Sequence, residues 1–152
     1  MARVRASVVV PGLASEAEEL WYDTTRWPTF VDGLHHIARL EGDWPRAGAR
    51  VLWDSQPGGR GRVQERVTSY VAREGQTVDV EDEKLRGTQR VTFTPVEGAV
   101  TVTLELRYSL KEQRPGMAVV DLLFIRRPQR ESLERTLRRF RTEVAAERQG
   151  SL

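Results

Sequence analysis

Residues 99–111, AVTVTLELRYSLK, alternate without a break. Val100, Val102, Leu104, Leu106, Tyr108 and Leu110 fall on one side, and Thr101, Thr103, Glu105, Arg107 and Ser109 on the other. Successive side chains of a strand point to opposite faces, so a period of two predicts a long strand with one buried and one wet face. Further along, the period changes. Leu133, Leu137, Phe140 and Val144 recur at spacings of four, three and four, the apolar stripe of a helix that buries one side. A half-buried sheet and a one-sided helix each need a cover, and here each supplies the other's.

Working outward, six more segments read as strands: Arg3–Val10, His36–Glu41, Arg50–Ser55, Gly61–Arg73, Thr77–Lys84 and Gln89–Thr94. The breaks Pro57-Gly58-Gly59, Glu74-Gly75, Arg86-Gly87 and Glu97-Gly98 are hairpin signals, which predict an antiparallel sheet. After the first strand, Ser15 with Glu18 predicts a capping box and a short helix over Glu16–Tyr22. A second helical turn starts near Trp27-Pro28 and closes at Asp32-Gly33. Met117 to Ile125 is nearly all apolar, and its periodicity leaves helix and buried strand both open. Pro128 is expected to kink or restart the last helix, because proline removes an amide donor. The expected fold class is α+β in one domain over residues 1–152: a curved seven-stranded antiparallel sheet, two short helices and a long C-terminal helix.

The chain has 152 residues, 39% of them apolar and 30% charged, enough for one core. Its lack of cysteine excludes disulfides, thiol nucleophiles, iron–sulfur clusters and the common structural zinc sites. No cofactor is expected. No apolar run approaches the ~20 residues of a membrane span, and the first residues lack a signal-peptide pattern, so the expected location is cytoplasmic. Net charge is +2, with 22 Arg against two Lys. GC-rich codon usage accounts for such a bias; an anionic partner is the other reading. From Arg126 to Arg141 there are seven Arg and two Glu, a local +5 on the last helix.

Three stretches resemble the START-like superfamily, also called SRPBCC, which has the helix-grip fold of the birch-pollen allergen. They are Leu20-Trp21-Tyr22-Asp23 with Trp27-Pro28-Thr29-Phe30; Gly48 through Val67, with Val51, Trp53, Ser55-Gln56-Pro57-Gly58-Gly59 and Glu65; and Arg126-Arg127 with Glu131 through Phe140. The second and third resemble the bacterial polyketide cyclase/dehydrase-like branch. The resemblance spans essentially the whole chain and is specific for fold, not for activity. It implies a deep cavity between the sheet and the C-terminal helix, holding a lipid, polyketide or other bulky apolar molecule. Relatives that cyclise polyketides tend to line that cavity with arginine and tyrosine.

Several polar residues share the parity of the apolar face: Ser55, Glu65, Ser69, Asp82 and Tyr108. A one-residue slip of register would turn any of them to water. Glu65, between Val63 and Val67, is the first candidate for general acid or base chemistry, since desolvation raises a carboxyl pKa. Tyr108 and His36 are the other catalytic candidates. For the cavity that the resemblance implies, the ligand-binding set is Trp53, Ser55, Glu65, Val67, Phe93, Leu106 and Tyr108 from the sheet face, with Leu133 and Leu137 from the helix stripe. His35 and His36, adjacent on a strand, are expected to face opposite ways and not to chelate a metal together. No arginine is expected on the inner face, and Arg60 falls in a hairpin turn.

Three functions are consistent with these features: a binder of a bulky hydrophobic small molecule; a polyketide cyclase or dehydratase using Glu65 or Tyr108; and an interaction module acting through the arginine-rich helix. A specific nucleic-acid partner and integral membrane association are not expected. Transient contact of the arginine face with a membrane surface is consistent with its charge, and both a monomer and a homodimer stay open.

Overall fold

The computed structural model describes residues 1–150. Strand β1 (Ala2–Pro11) leads into helix α1 (Ala14–Tyr22), a 3₁₀ turn (Thr24–Arg26) and helix α2 (Trp27–Phe30). Strands β2 (Leu34–Glu41), β3 (Arg50–Ser55), β4 (Arg62–Val71), β5 (Gly75–Glu81), β6 (Leu85–Val96) and β7 (Ala99–Leu110) follow. Helix α3 (Met117–Val120), a π-turn (Asp121–Ile125) and helix α4 (Arg126–Gly150) complete the described residues. The sheet has seven antiparallel strands in the order β1-β7-β6-β5-β4-β3-β2, so the α1–α2 crossover carries the chain from one edge to the other. No helix among the described residues is long and apolar enough to cross a membrane.

The alternating face of β7 is buried from Val100 through Tyr108. Helix α4 lies against it through Leu133, Leu137, Phe140 and Val144, each buried. Phe140 joins an aromatic cluster, with ring centroids 5.2 Å from both Trp21 and Phe30. Truncating a buried residue such as Leu137 to alanine typically costs about 2–5 kcal/mol, so this helix is integral to the core. The C-terminal part of the helix is also tied to the α1–α2 layer, by Arg148 to Glu16 at 2.9 Å and by Arg26 to Glu143 at 2.8 Å.

Four local readings change. Helix α1 starts earlier than Ser15 predicts: its first turn is closed by Glu16, whose Oε1 accepts the Leu13 N–H at 2.9 Å. Glu18 instead accepts the Arg73 N–H, at 2.6 Å, from the β4–β5 turn. Gly87 lies inside β6 opposite Tyr108, where a Cβ would collide with the Arg107 carbonyl oxygen, so glycine is required there for close approach. The turn expected at Arg86-Gly87 lies at Asp82, whose Oδ1 accepts the amides of Lys84 and Leu85 at 2.8 and 3.0 Å. Finally, Met117–Ile125 is helical and mostly exposed, neither strand nor buried.

Two bulges redirect side chains. Between Val67 and Ser69 the β4 register shifts, which leaves Ser69 in water and brings Tyr70 against Tyr22, ring centroids 5.5 Å apart. A second, between Leu34 and His36, puts both histidine rings in water on the same side, 5.2 Å apart. The expected opposite orientation fails because a bulge breaks the two-residue alternation.

A candidate pocket between the sheet and helix α4

The concave face closes over a small pocket. Trp21 and Trp27 from the α1–α2 layer, Trp53 from β3, Val91 from β6, Leu104 from β7 and Leu133 from α4 form apolar wall. Glu65, Gln76 and Gln89 bring polar groups from β4, β5 and β6, and Arg60, Asp32, Ser132 and Thr136 also line it, with Val31 and Val78. The volume is about 50 Å³. That is room for a few waters, far short of the deep cavity expected from the resemblance.

Glu65 is the chemical centre of this pocket. It is buried, and its Oε2 accepts the Trp53 indole N–H at 2.7 Å. Burial pushes its carboxyl above the ordinary value of 4.5, while the Trp53 hydrogen bond and the charge of Arg60 pull the other way and do not prevail. Arg60 sits with its guanidinium carbon 5.5 Å from the Trp53 ring centroid, a cation–π arrangement. Its Nε donates to Asp82 at 2.7 Å, and its Nη2 is buried with no partner among the described residues. Asp82 therefore does two things at once: it shapes the β5–β6 turn and holds Arg60 against the pocket wall.

At the rim, Asp32 gathers the arginines of α4. Ser132 donates to it at 2.7 Å, Arg135 at 3.0 and 3.1 Å, and Arg139 at 3.2 Å. The Asp32 backbone N–H in turn donates to the Thr136 hydroxyl at 2.9 Å. Burial pushes the Asp32 carboxyl up, but the hydrogen bonds from Arg135 and Ser132 and the charge of Arg139 outweigh it and hold the carboxyl low. Part of the arginine excess on α4 is thus neutralised inside the molecule.

The remaining residues singled out in the sequence disperse. Of the ligand-binding set, Trp53, Glu65 and Leu133 line the pocket. Leu106 and Leu137 are packed in the core, Phe93 packs on Tyr22 with centroids 6.0 Å apart, and Val67 belongs to a separate cluster with Ala49 and Val78. Ser55 is half-buried outside the lining, its hydroxyl buried without a partner among the described residues. Tyr108 points to a different hollow, where it donates to Asp121 at 2.5 Å; burial and that carboxylate raise its pKa. His36 lies on the surface beside Asp54, with Nε2 3.1 Å from its carboxylate. Arg60 is the residue the sequence reading missed. It is placed by a turn, outside the strand periodicity, and no alternation rule reaches it.

A sequence profile described as "Polyketide cyclase / dehydrase and lipid transport" matches residues 1–145. The chain belongs to this family. Solved structures give this member of the polyketide cyclase / dehydrase and lipid transport family the START-like fold at low sequence identity. TTHA0849 from Thermus thermophilus is 18% identical, with a TM-score of 0.72, over 96% of this chain and 99% of that one. A START superfamily protein from Mycobacterium smegmatis is 15% identical, with a TM-score of 0.73, over 95% and 97%. The di-domain ARO/CYC StfQ of the steffimycin biosynthetic pathway is 17% identical, with a TM-score of 0.77, over 97% of this chain and 51% of that chain. No curated protein matches in sequence.

Proposed function

We propose that the protein binds an apolar, flat small molecule carrying a hydroxyl or carbonyl oxygen, seated with that oxygen toward Glu65 and Arg60. One observation carries the reading: a buried carboxyl favouring its protonated form and a buried, unpartnered arginine nitrogen line the same tryptophan-walled pocket. Pockets of this kind use a few polar groups to orient a mainly apolar ligand. A neutral Glu65 donates to a ligand oxygen while still accepting from Trp53, and Arg60 Nη2 supplies a second donor. A bulky ligand enters only if Arg60 swings off Trp53 and the rim between Asp32 and the β3–β4 turn parts.

The raised proton affinity of Glu65 also favours a second reading, a dehydratase-type activity. Glu65 would give its proton to a departing hydroxyl, which leaves as water, and its carboxylate would take a proton from the adjacent carbon as the new double bond forms. Tyr108 has no part in this, being hydrogen-bonded to Asp121 away from the pocket.

Tryptophan quenching by hydroxylated polycyclic aromatics separates the two. A binder shows saturable one-site quenching, weakened about tenfold in Arg60→Leu, the loss of one charge-assisted hydrogen bond, and nearly unchanged in Glu65→Gln. An enzyme turns over β-hydroxycarbonyl substrates and loses that turnover in Glu65→Gln. No saturable quenching by any oxygen-bearing aromatic contradicts the binding reading.

A further inference from the structure

The segment Met117–Ile125, MAVVDLLFI, is inside out. Its one buried residue is a carboxylate, Asp121, which accepts Tyr108 Oη at 2.5 Å and Arg126 Nη2 at 2.7 Å. Its large apolar residues face solvent: Val119 is 58% exposed, Leu122 59%, Leu123 62% and Phe124 69%. The π-turn contributes to this inversion. The Arg126 N–H reaches back to the Asp121 carbonyl, five residues away, so the apolar stripe of α4 does not continue in phase into the segment. Exposed apolar side chains grouped in this way mark a surface that something else covers.

The charges around the segment select the cover. From Lys111 to Arg130 there are five cations and two acids, and one of those acids, Asp121, is turned inward. Arg114 and Arg127 have side chains 72% and 82% exposed, each paired at the surface with one glutamate, Glu112 at 2.6 Å and Glu131 at 2.9 Å, exposed pairs that are weak and open to exchange. A second copy docking through the same face would set two cationic rims against each other, because a two-fold contact is self-complementary. An anionic, apolar-cored surface meets both the rim and the centre. The segment is helical, so its amides are largely satisfied internally and its side chains can leave water without stranding backbone groups. Nine residues are too few to span a bilayer, which calls for ~20, but suffice to lie in its interface.

We propose that Met117–Ile125 is a membrane-contacting element, whose Leu122, Leu123 and Phe124 enter the headgroup–acyl boundary of a bilayer while Arg114, Arg127 and Arg130 pair with anionic headgroups. The inference rests on exposure and charge at the start of the terminal helical region and is independent of the pocket reading. It also places surface contact at the Met117–Ile125 segment and the first turns of α4, not at Arg135 and Arg139, which are held by Asp32.

Flotation with vesicles of phosphatidylcholine alone, and of phosphatidylcholine mixed with phosphatidylglycerol, tests it. The full chain should float with the mixed vesicles and not with the pure ones. Leu122→Ser/Leu123→Ser/Phe124→Ser should weaken binding by about tenfold or more, and Arg127→Glu/Arg130→Glu by a similar factor that shrinks as salt rises. Absence of flotation with the mixed vesicles, binding retained in the triple variant, or equal binding to pure phosphatidylcholine overturns the proposal. So does a dimer in light scattering that the triple variant abolishes while vesicles are ignored, which assigns the face to a second copy. Should the triple variant not fold, Phe124→Trp gives the same decision: because the chain has four tryptophans of its own, the variant-minus-wild-type emission is read, a blue shift of that difference spectrum on adding mixed vesicles is expected, and an unshifted difference spectrum overturns the assignment.

Discussion

The indole N–H of Trp53 donates to Glu65 Oε2 at 2.7 Å across the β3–β4 pair, where Trp53 stands opposite Val63 and Glu65 opposite Val51. The two side chains are thus diagonal neighbours on one inward face, within reach for long side chains. That single hydrogen bond places a carboxyl among tryptophans, and the pocket's chemistry follows from it.

Glu65 makes stability depend on pH in a definite direction. Its folded pKa lies above the ordinary 4.5, so the native state holds a proton the unfolded chain has released. Below about pH 4 both states are protonated and the group has no effect. As pH rises from there through the folded pKa, wild type loses stability by up to about 1.4 kcal/mol per pH unit. Glu65→Gln, which keeps the shape and an acceptor for Trp53, should remove this fall. Chemical denaturation from pH 4 to 8 should show the variant gaining on wild type; parallel curves would mean the carboxyl is not desolvated.

Asp32 behaves in the opposite sense. Its folded pKa is depressed, so its contribution is full above the unfolded value of 3.8 and is lost as pH falls through the folded one. Asp32→Asn should cost roughly 1–2 kcal/mol at neutral pH, because Arg135 and Arg139 lose a charged acceptor. A denaturation series extended below pH 3.8 should show the two proteins converging in strong acid. A constant difference at every pH would assign the cost to packing.

Tyr22 is buried with a hydroxyl that finds no partner among the described residues. Leaving such a group unsatisfied costs more than its replacement by an apolar atom. Tyr22→Phe should therefore be neutral or stabilising by up to about 1 kcal/mol, read as a melting temperature unchanged or a few degrees higher. A clear loss of stability would reveal a partner for the hydroxyl.

Gly87→Ala should be strongly destabilising, by about 2–4 kcal/mol, because its Cβ would meet the Arg107 carbonyl within the β6–β7 pair. A comparison with Gly98→Ala is informative: a Cβ there meets open space but must take a φ of +70°, a milder backbone penalty. Equal losses at both positions would mean that β6 shifts to make room.

The seven strands and the α4 stripe were legible because burial of one face writes a period into the chain, as in Val100 to Tyr108 and Leu133 to Val144. Bulges leave no such mark. Nothing around Val67 or His35 announces an extra residue, so strict alternation puts Ser69 and the histidines on faces they do not occupy. Gly87 reads as a turn because glycine serves turns and close approaches alike, whereas Asp82 reads as an inner-face residue although it makes the turn. Of the pocket, the strand-borne Trp53 and Glu65 and the helix-borne Leu133 were visible. Arg60 and Asp32 sit on connections, and only the folded register brings them to it.

Whether the pocket takes an oxygen-bearing apolar molecule is decided by native mass spectrometry of the protein with a panel of hydroxylated polycyclic aromatics. Val91→Phe, which adds bulk to the pocket wall, is the control. Wild type should carry one ligand per chain and the folded Val91→Phe variant almost none. No adduct on wild type at any concentration, or an equal adduct on both proteins, would contradict the account.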